Sequence, residues 1–321
     1  MGVPMPNITN PAVPTAPHPS LQGLTVLQRG WLSSNNVLLH GRGEGAVLVD
    51  SGHVLHATQT VALVQQALAG EPLARIMNTH LHSDHCGGNA SVQAALGGGI
   101  TVPSPSFAAA LAWDEDLLSY RHTGQHCQRF RPDAALAAGQ SLSVGGRSWQ
   151  ALAAPGHDPD SLLLFDARQG LLISADALWE NGFGVVFPEL EGEDAFDEVA
   201  HVLDLIGSLG VHWVIPGHGT PFGDVDGALQ RAWRRLDSFR SDPARHARHA
   251  AKVLVKYHLM EERQQPWADF LRWFTATELC RTIWQRLDRP EGTMTAFAER
   301  LVAELLAAGA LARRDDVLQD A

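Results

Sequence analysis

From residue 24 the chain alternates between short apolar runs and longer stretches with a helical period. Residues 24–27, 36–39 and 46–49 are strand-like. Gly41, Gly43 and Gly45 between the last two predict antiparallel strands joined by a tight turn. Residues 58–69 place Val61, Val64 and Leu68 on one face at spacings of three and four, which predicts a helix. After Pro72 a strand at 74–79 runs into a histidine cluster, followed by a helix at 91–96 and a strand at 100–102. Strand signals return at 141–144, 148–153, 161–166 and 170–175. A helix then covers 195–209, a short strand 213–216 and a helix 224–241. Strands, helix, strands, helix in repeated order predict two sheets with helices outside them.

Two stretches depart from that rhythm. Residues 104–133 are less regular, with a helix expected within 108–120 that carries Trp113, Leu117, Leu118 and Tyr120. Its apolar face either completes the core or caps a substrate pocket. Beyond residue 241, segments 247–260, 267–273 and 293–308 have helical spacing. Gly309 stops the last of them, and a brief apolar element at 310–312 follows. The expected organisation is therefore a flexible arm at 1–22, a first domain at 23–241, and a mainly helical domain with one hairpin at 242–321, winged-helix-like in outline.

Charge narrows the choice of partners. The formal net charge is -11, with 23 acidic and 12 basic side chains in residues 1–240 and 12 of each in 241–321. An acidic first domain gives no general attraction for nucleic acid, and bound divalent cations would offset part of its charge. The balanced tail favours packing or homodimer formation over DNA binding. Three cysteines, Cys86, Cys127 and Cys280, are too few and too scattered for a disulfide framework. The proline-rich opening lacks the basic start and apolar run of an export signal, and no stretch approaches the roughly 18 apolar residues of a membrane span. A cytoplasmic location with no membrane partner is the expectation.

The chemistry is concentrated in Asn78-Thr-His-Leu-His-Ser-Asp-His-Cys-Gly-Gly88. Side chains alternate along an extended segment, so His80 and His82 share a side. Asp84 and His85 enter the turn that follows. Three imidazoles and a carboxylate within six positions suit zinc, and also iron or manganese. An isolated histidine is ordinarily a surface or hydrogen-bonding residue; this density is not ordinary.

The segment resembles the HxHxDH signature of the metallo-β-lactamase superfamily. The resemblance continues through Pro155-Gly-His157, Ser174-Ala-Asp176 and Pro216-Gly-His218-Gly, covering residues 24–241. It implies a four-layer αββα fold with two divalent metal ions, zinc first, and a shared hydroxide that attacks the substrate. Carried over by position, His80, His82 and His157 would hold one ion, and Asp84, His85 and His218 the other. Asp176 would bridge both, and Asp84 would also orient the hydroxide. Cys86 follows His85 but is not expected to be a ligand. Of Asp158 and Asp160, one can support a ligand imidazole, though a solvent-facing turn is favoured.

The glycine-broken run from Asp176 to Pro188 is the expected source of substrate contacts. Trp179 is the first choice, then Phe183 and Phe187, with core packing the competing role for all three. The resemblance implies a hydrolase of small carbonyl substrates, a thioester or carboxylic ester first and a lactone or β-lactam second. Quorum-quenching-type lactonases usually place a tyrosine where this chain has Trp179, and an indole lacks the phenolic oxygen. Phosphodiester cleavage, iron-dependent redox chemistry and a non-enzymatic binding module rank lower.

Overall fold

The computed structural model of the protein describes residues 18–290 and 292–321. They fall into two compact units. The larger comprises the described residues up to Leu118 together with His126–Asp237. Its first sheet holds β1 (Leu24–Leu27), β2 (Asn36–Leu39), β3 (Ala46–Val49), β4 (Leu73–Met77), β5 (Gly99–Pro103) and β6 (Ala134–Leu136), side by side in chain order. β1 to β3 are antiparallel, and β3 to β6 parallel. The second sheet holds β7 (Ser141–Val144), β8 (Arg147–Ala153), β9 (Leu162–Asp166), β10 (Leu171–Ala175) and β11 (Trp213–Pro216), also in chain order. β10 and β11 run parallel and the other neighbours antiparallel.

The core lies between the sheets. Val37, Leu39, Val47, Val49 and Met77 from the first meet Trp149, Ala151, Leu162, Leu164, Ile173 and Ile215 from the second. The residues between them in sequence, such as Leu38, Leu48, Ile76, Leu163 and Leu172, point the other way and are buried too. Strands buried on both faces need an outer cover. The helices Ala57–Leu68 and Asn89–Leu96 pack on the first sheet and on each other. The helix Ala195–Ser208 buries Phe196, Val199, Leu203 and Ile206 along one face, as an outer layer must. The order of layers is αββα.

The irregular region resolves differently from the expectation. In place of a helix running through 108–120 there are two short ones, Phe107–Ala112 and Tyr120–Thr123. Trp113 closes the first and Ser119 precedes the second, both with left-handed backbone (φ 58° and 60°) that α-helix cannot continue through. Ser119–Gln125 groups with Ser238–Ala321 in the smaller unit, where Tyr120–Thr123 packs on the helix Glu278–Arg286.

That smaller unit contains the helices Pro243–Glu262, Trp267–Ala276, Glu278–Arg286 and Met294–Ala307. They share the fully buried Phe270, Phe274, Leu279, Phe297 and Leu301. β12 (Gln264–Pro266), β13 (Leu311–Arg314) and β14 (Val317–Asp320) form an antiparallel sheet in the order β12-β14-β13. Helical spacing missed Glu278–Arg286 because Thr277 serves both as the end of one helix and the start of the next. No glycine or proline marks the break. Of the proline-rich opening, residues 1–17 lie outside the described residues; Pro19–Leu21 forms one 3₁₀ turn, and His18 stacks on Trp213 at 4.1 Å. Among the described residues no helix is long and apolar enough to cross a membrane.

Candidate metal centre

Strand ends of both sheets deliver the titratable side chains. His80 follows β4 by three residues, His157 follows β8, Asp176 comes directly after β10, and His218 lies two residues beyond β11. The register of β10 against β11 shifts between Ile173 and Ala175, and Ala175 takes a left-handed φ of 46°. This bulge re-aims the chain as Asp176 leaves the sheet. Gly217 makes room for it: a Cβ there would sit 2.2 Å from Asp176 Oδ1, so no larger residue fits between β11 and His218. The turn before His157 needs glycine for another reason, since Gly156 has φ 132° and its Cβ would strike Val199. His82 precedes the single helical turn Ser83–Cys86, which carries Asp84 and His85.

The seven side chains form two buried groups, each with its donor atoms within 4.8 Å of one another. In the first, His82 Nδ1 lies 3.1 Å from His80 Nε2 and 2.9 Å from His157 Nε2. In the second, Asp84 Oδ2 lies 3.0 Å from His218 Nε2, and His85 Nε2 lies 3.4 Å from Asp176 Oδ1. The other Asp176 oxygen, Oδ2, is 3.3 Å from His157 Nε2 and 3.8 Å from His218 Nε2. Asp176 therefore stands between the groups.

The donor set fits metal ions. His157 Nδ1 must donate to Val185 O at 2.6 Å, which leaves its Nε2 as a lone pair directed at His82. Burial, then the charge of neighbouring imidazoles, holds His80 well below the ordinary histidine value; burial and His157 bring His82 to about 3, and burial also lowers His157. Three neutral imidazoles thus converge lone pairs on one point, an arrangement that a cation satisfies and a proton does not. His85 Nε2 and His218 Nδ1 are buried with no hydrogen-bond partner among the described residues.

The second group is charged. Burial works against ionisation of Asp84 and Asp176, but the imidazoles of His85 and His218 outweigh it and keep both carboxylates ionised. Burial likewise opposes a charge on His85, yet Asp176, Asp50 and Asp84 together raise its pKa well above the ordinary value.

Asp50 was not visible as a site residue in the sequence. Its Oδ2 accepts the Nδ1 proton of His85 at 2.8 Å, and Thr79 donates to it through both its backbone N–H and its hydroxyl. The available signal was a carboxylate ending an otherwise wholly apolar strand, and in the structure it is buried with left-handed φ. Of the two carboxylates after His157, Asp158 is the one beside a candidate ligand imidazole, 3.7 Å from His82 Nε2, with burial raising its pKa to about 7. Asp160 accepts from Ser106 Oγ instead. Cys86 Sγ is directed at Leu81 O and Cys127.

Aromatic rings flank both groups. Phe187 lies edge-on to His82 and His157, with centroids at 5.0 and 5.5 Å. Trp179 is edge-on to His218 at 5.5 Å, and its Nε1 donates to Asp176 Oδ1 at 3.2 Å. Trp31, overlooked in the sequence, stacks on His218 at 5.5 Å and meets Trp179 edge-on at 5.4 Å. Phe183 is buried, with the Arg235 guanidinium 6.0 Å from its ring centre.

Comparison with known proteins places this geometry in context. The profile of the metallo-beta-lactamase superfamily matches residues 29–218. A lactamase-like protein, nscB, from Neosartorya fischeri is 27% identical over 210 residues, 64% of this chain and 54% of that protein. A hydroxyacylglutathione hydrolase from Anaeromyxobacter dehalogenans is 31% identical over 157 residues, 49% of this chain and 51% of that protein. The chain thus spans about half the length of these curated relatives. Among solved structures, TTHA1623 in a di-iron-bound form aligns with a TM-score of 0.52 at 26% identity, covering 65% of this chain and 98% of that one.

Proposed function

The chain belongs to the metallo-beta-lactamase superfamily, and from that premise we propose that it hydrolyses a small thioester or carboxylic ester with two divalent metal ions. The observation that carries the reading is Asp176, one carboxylate set between a three-imidazole group and a mixed group. A shared anion offsets the repulsion between two neighbouring cations. Zinc is the first choice for nitrogen and oxygen donors, with iron and manganese as alternatives; the di-iron form of a similar structure supports the pairing of two ions. His80, His82 and His157 would hold one ion, Asp84, His85 and His218 the other, with Asp176 between them. Two such ions supply Lewis acidity for water and for the substrate carbonyl.

The remaining work falls to the chain itself. Val185 O and Asp50 fix the tautomers and ring orientations of His157 and His85. Ionised Asp84 can only accept hydrogen bonds, so it can orient an attacking water from its place beside His218. Trp31, Trp179 and Phe187 offer apolar walls suited to an acyl group. Similarity to a hydrolase of hydroxyacylglutathione, itself a thioester, supports placing that substrate class first.

The test is a panel of acyl thioesters, simple esters, lactones, β-lactams and a phosphodiester, run on protein of measured metal content. Two metals per chain and turnover of thioesters or esters, lost in Asp84→Ala and His218→Ala, are expected. Turnover of the phosphodiester alone would refute the carbonyl reading, and lactone turnover alone would replace the substrate class. Full activity with fewer than two metals per chain would end the two-metal assignment.

A further inference from the structure

Two cysteines that this chemistry leaves idle face each other. Cys86 Sγ and Cys127 Sγ are 3.6 Å apart, and neither is in a disulfide. Cys86 is buried, ends the helical turn that carries Asp84 and His85, and its Sγ lies 3.3 Å from Leu81 O. Cys127 is partly exposed, in the irregular stretch before β6, with Sγ 3.7 Å from Gln128 O. The pair is asymmetric, with a reachable thiol in front and a shielded one behind. Cys280 is buried in the smaller unit, where burial pushes its thiol up to about 12.

We propose that Cys86 and Cys127 are a reversible disulfide-forming site, oxidised by a low-mass disulfide of the glutathione class. The sulfurs need to close by roughly 1.5 Å to reach bonding distance. The Cys127 thiolate attacks one sulfur of the small disulfide; that S–S bond breaks, and one small thiolate leaves and takes up a proton. Cys86 then gives up its proton and attacks the Cys127 sulfur of the mixed disulfide, releasing a second small thiol. Two protein thiols have lost two protons and two electrons, and the small disulfide has become two thiols. The bond ties the turn bearing Asp84 and His85 to the stretch before β6 and spans 41 positions of sequence.

The full-length protein is incubated with oxidised glutathione, then freed of it and analysed by intact mass, thiol count in denaturant and non-reducing peptide mapping. The expected product is lighter by two hydrogen atoms, retains one of its three thiols, and yields a Cys86–Cys127 peptide that dithiothreitol releases. Cys280→Ser should form the same bridge, whereas Cys86→Ser should stop at a glutathione adduct on Cys127. A lasting adduct on Cys127 of the unaltered protein, a bridge between two chains, or three titratable thiols after treatment would each overturn the proposal. Peptide mapping of the unaltered protein decides the matter even if a variant fails to fold. None of these readouts depends on the hydrolase assignment.

Discussion

The two donor groups draw on the same residue types in different proportions, and the consequence is charge. The first has three imidazoles, oriented by neutral partners such as Val185 O and the Thr79 hydroxyl, which lies 3.1 Å from His80 Nδ1. Burial and mutual repulsion keep those rings neutral. The second has two carboxylates within it and a third, Asp50, behind His85, and these pull His85 toward its protonated form. An ion entering the first group meets lone pairs. An ion entering the second must displace a proton. Similar side chains in similar burial are thus set apart by what stands behind them.

Asp176 is the part the groups share, so its removal should have the largest effect. Asp176→Asn keeps the shape and the fit against Gly217 but loses the anion. Occupancy should fall in both groups, and kcat/KM by at least the 10²–10³-fold that loss of a single transition-state donor costs, as an order of magnitude. Elemental analysis beside kinetics measures both. A variant that keeps two metals and most of its activity would mean that the groups are independent.

Asp50→Asn should sharpen the contrast with a smaller effect. The amide can still face His85, but it is neutral, so the second group should lose roughly 10–100-fold in metal affinity while the first is spared. In the unaltered protein Asp176, Asp50 and Asp84 raise the His85 pKa, so metal binding at the second group competes with a more firmly held proton. Affinity at the second group should therefore fall steeply as pH falls, while the imidazoles of the first are already neutral and feel only the titration of Asp158 beside His82, a weaker dependence. Calorimetric titration in buffers of different ionisation enthalpy reads proton release at each step. Equal release at both steps would remove the distinction.

All seven clustered donors were legible in the sequence because they lie in short motifs at strand ends, where local spacing carries the chemistry. The sandwich was legible as well, from the repeated order of strands, helix, strands, helix, which the two sheets of the structure follow in chain order. Asp50 and Trp31 were not, since each gains its role only by meeting a residue remote in sequence, His85 or His218. Phe183 and Phe187 were read together as wall residues of one glycine-broken loop. In the structure Phe187 stands edge-on to the imidazoles of His82 and His157, while Phe183 is buried beside Arg235. The helix expected within 108–120 is instead two short helices, because the left-handed turns at Trp113 and Ser119 fall at non-glycine residues, where composition gives no warning.

The smallest expected effects extend the comparison to the walls. Trp31 stacks on the second group and Phe187 stands beside the first, where its backbone N–H, not its ring, donates to His157 O at 3.5 Å. Trp31→Ala and Phe187→Ala should leave metal content near that of the unaltered protein and raise KM for long acyl substrates more than for acetyl ones. About 1–3 kcal/mol of discrimination is the scale for small changes in an apolar pocket. Trp179→Ala should behave differently, because its indole N–H donates to Asp176 Oδ1 as well as forming a wall. Losing that bond frees one oxygen of the shared carboxylate, so metal content should shift along with selectivity. Measuring metal content and the acetyl-to-long-chain ratio in all three variants separates the roles. If Trp31→Ala lowers activity equally on every chain length, its ring acts by holding His218 in place, and the acyl wall reduces to Trp179 and Phe187.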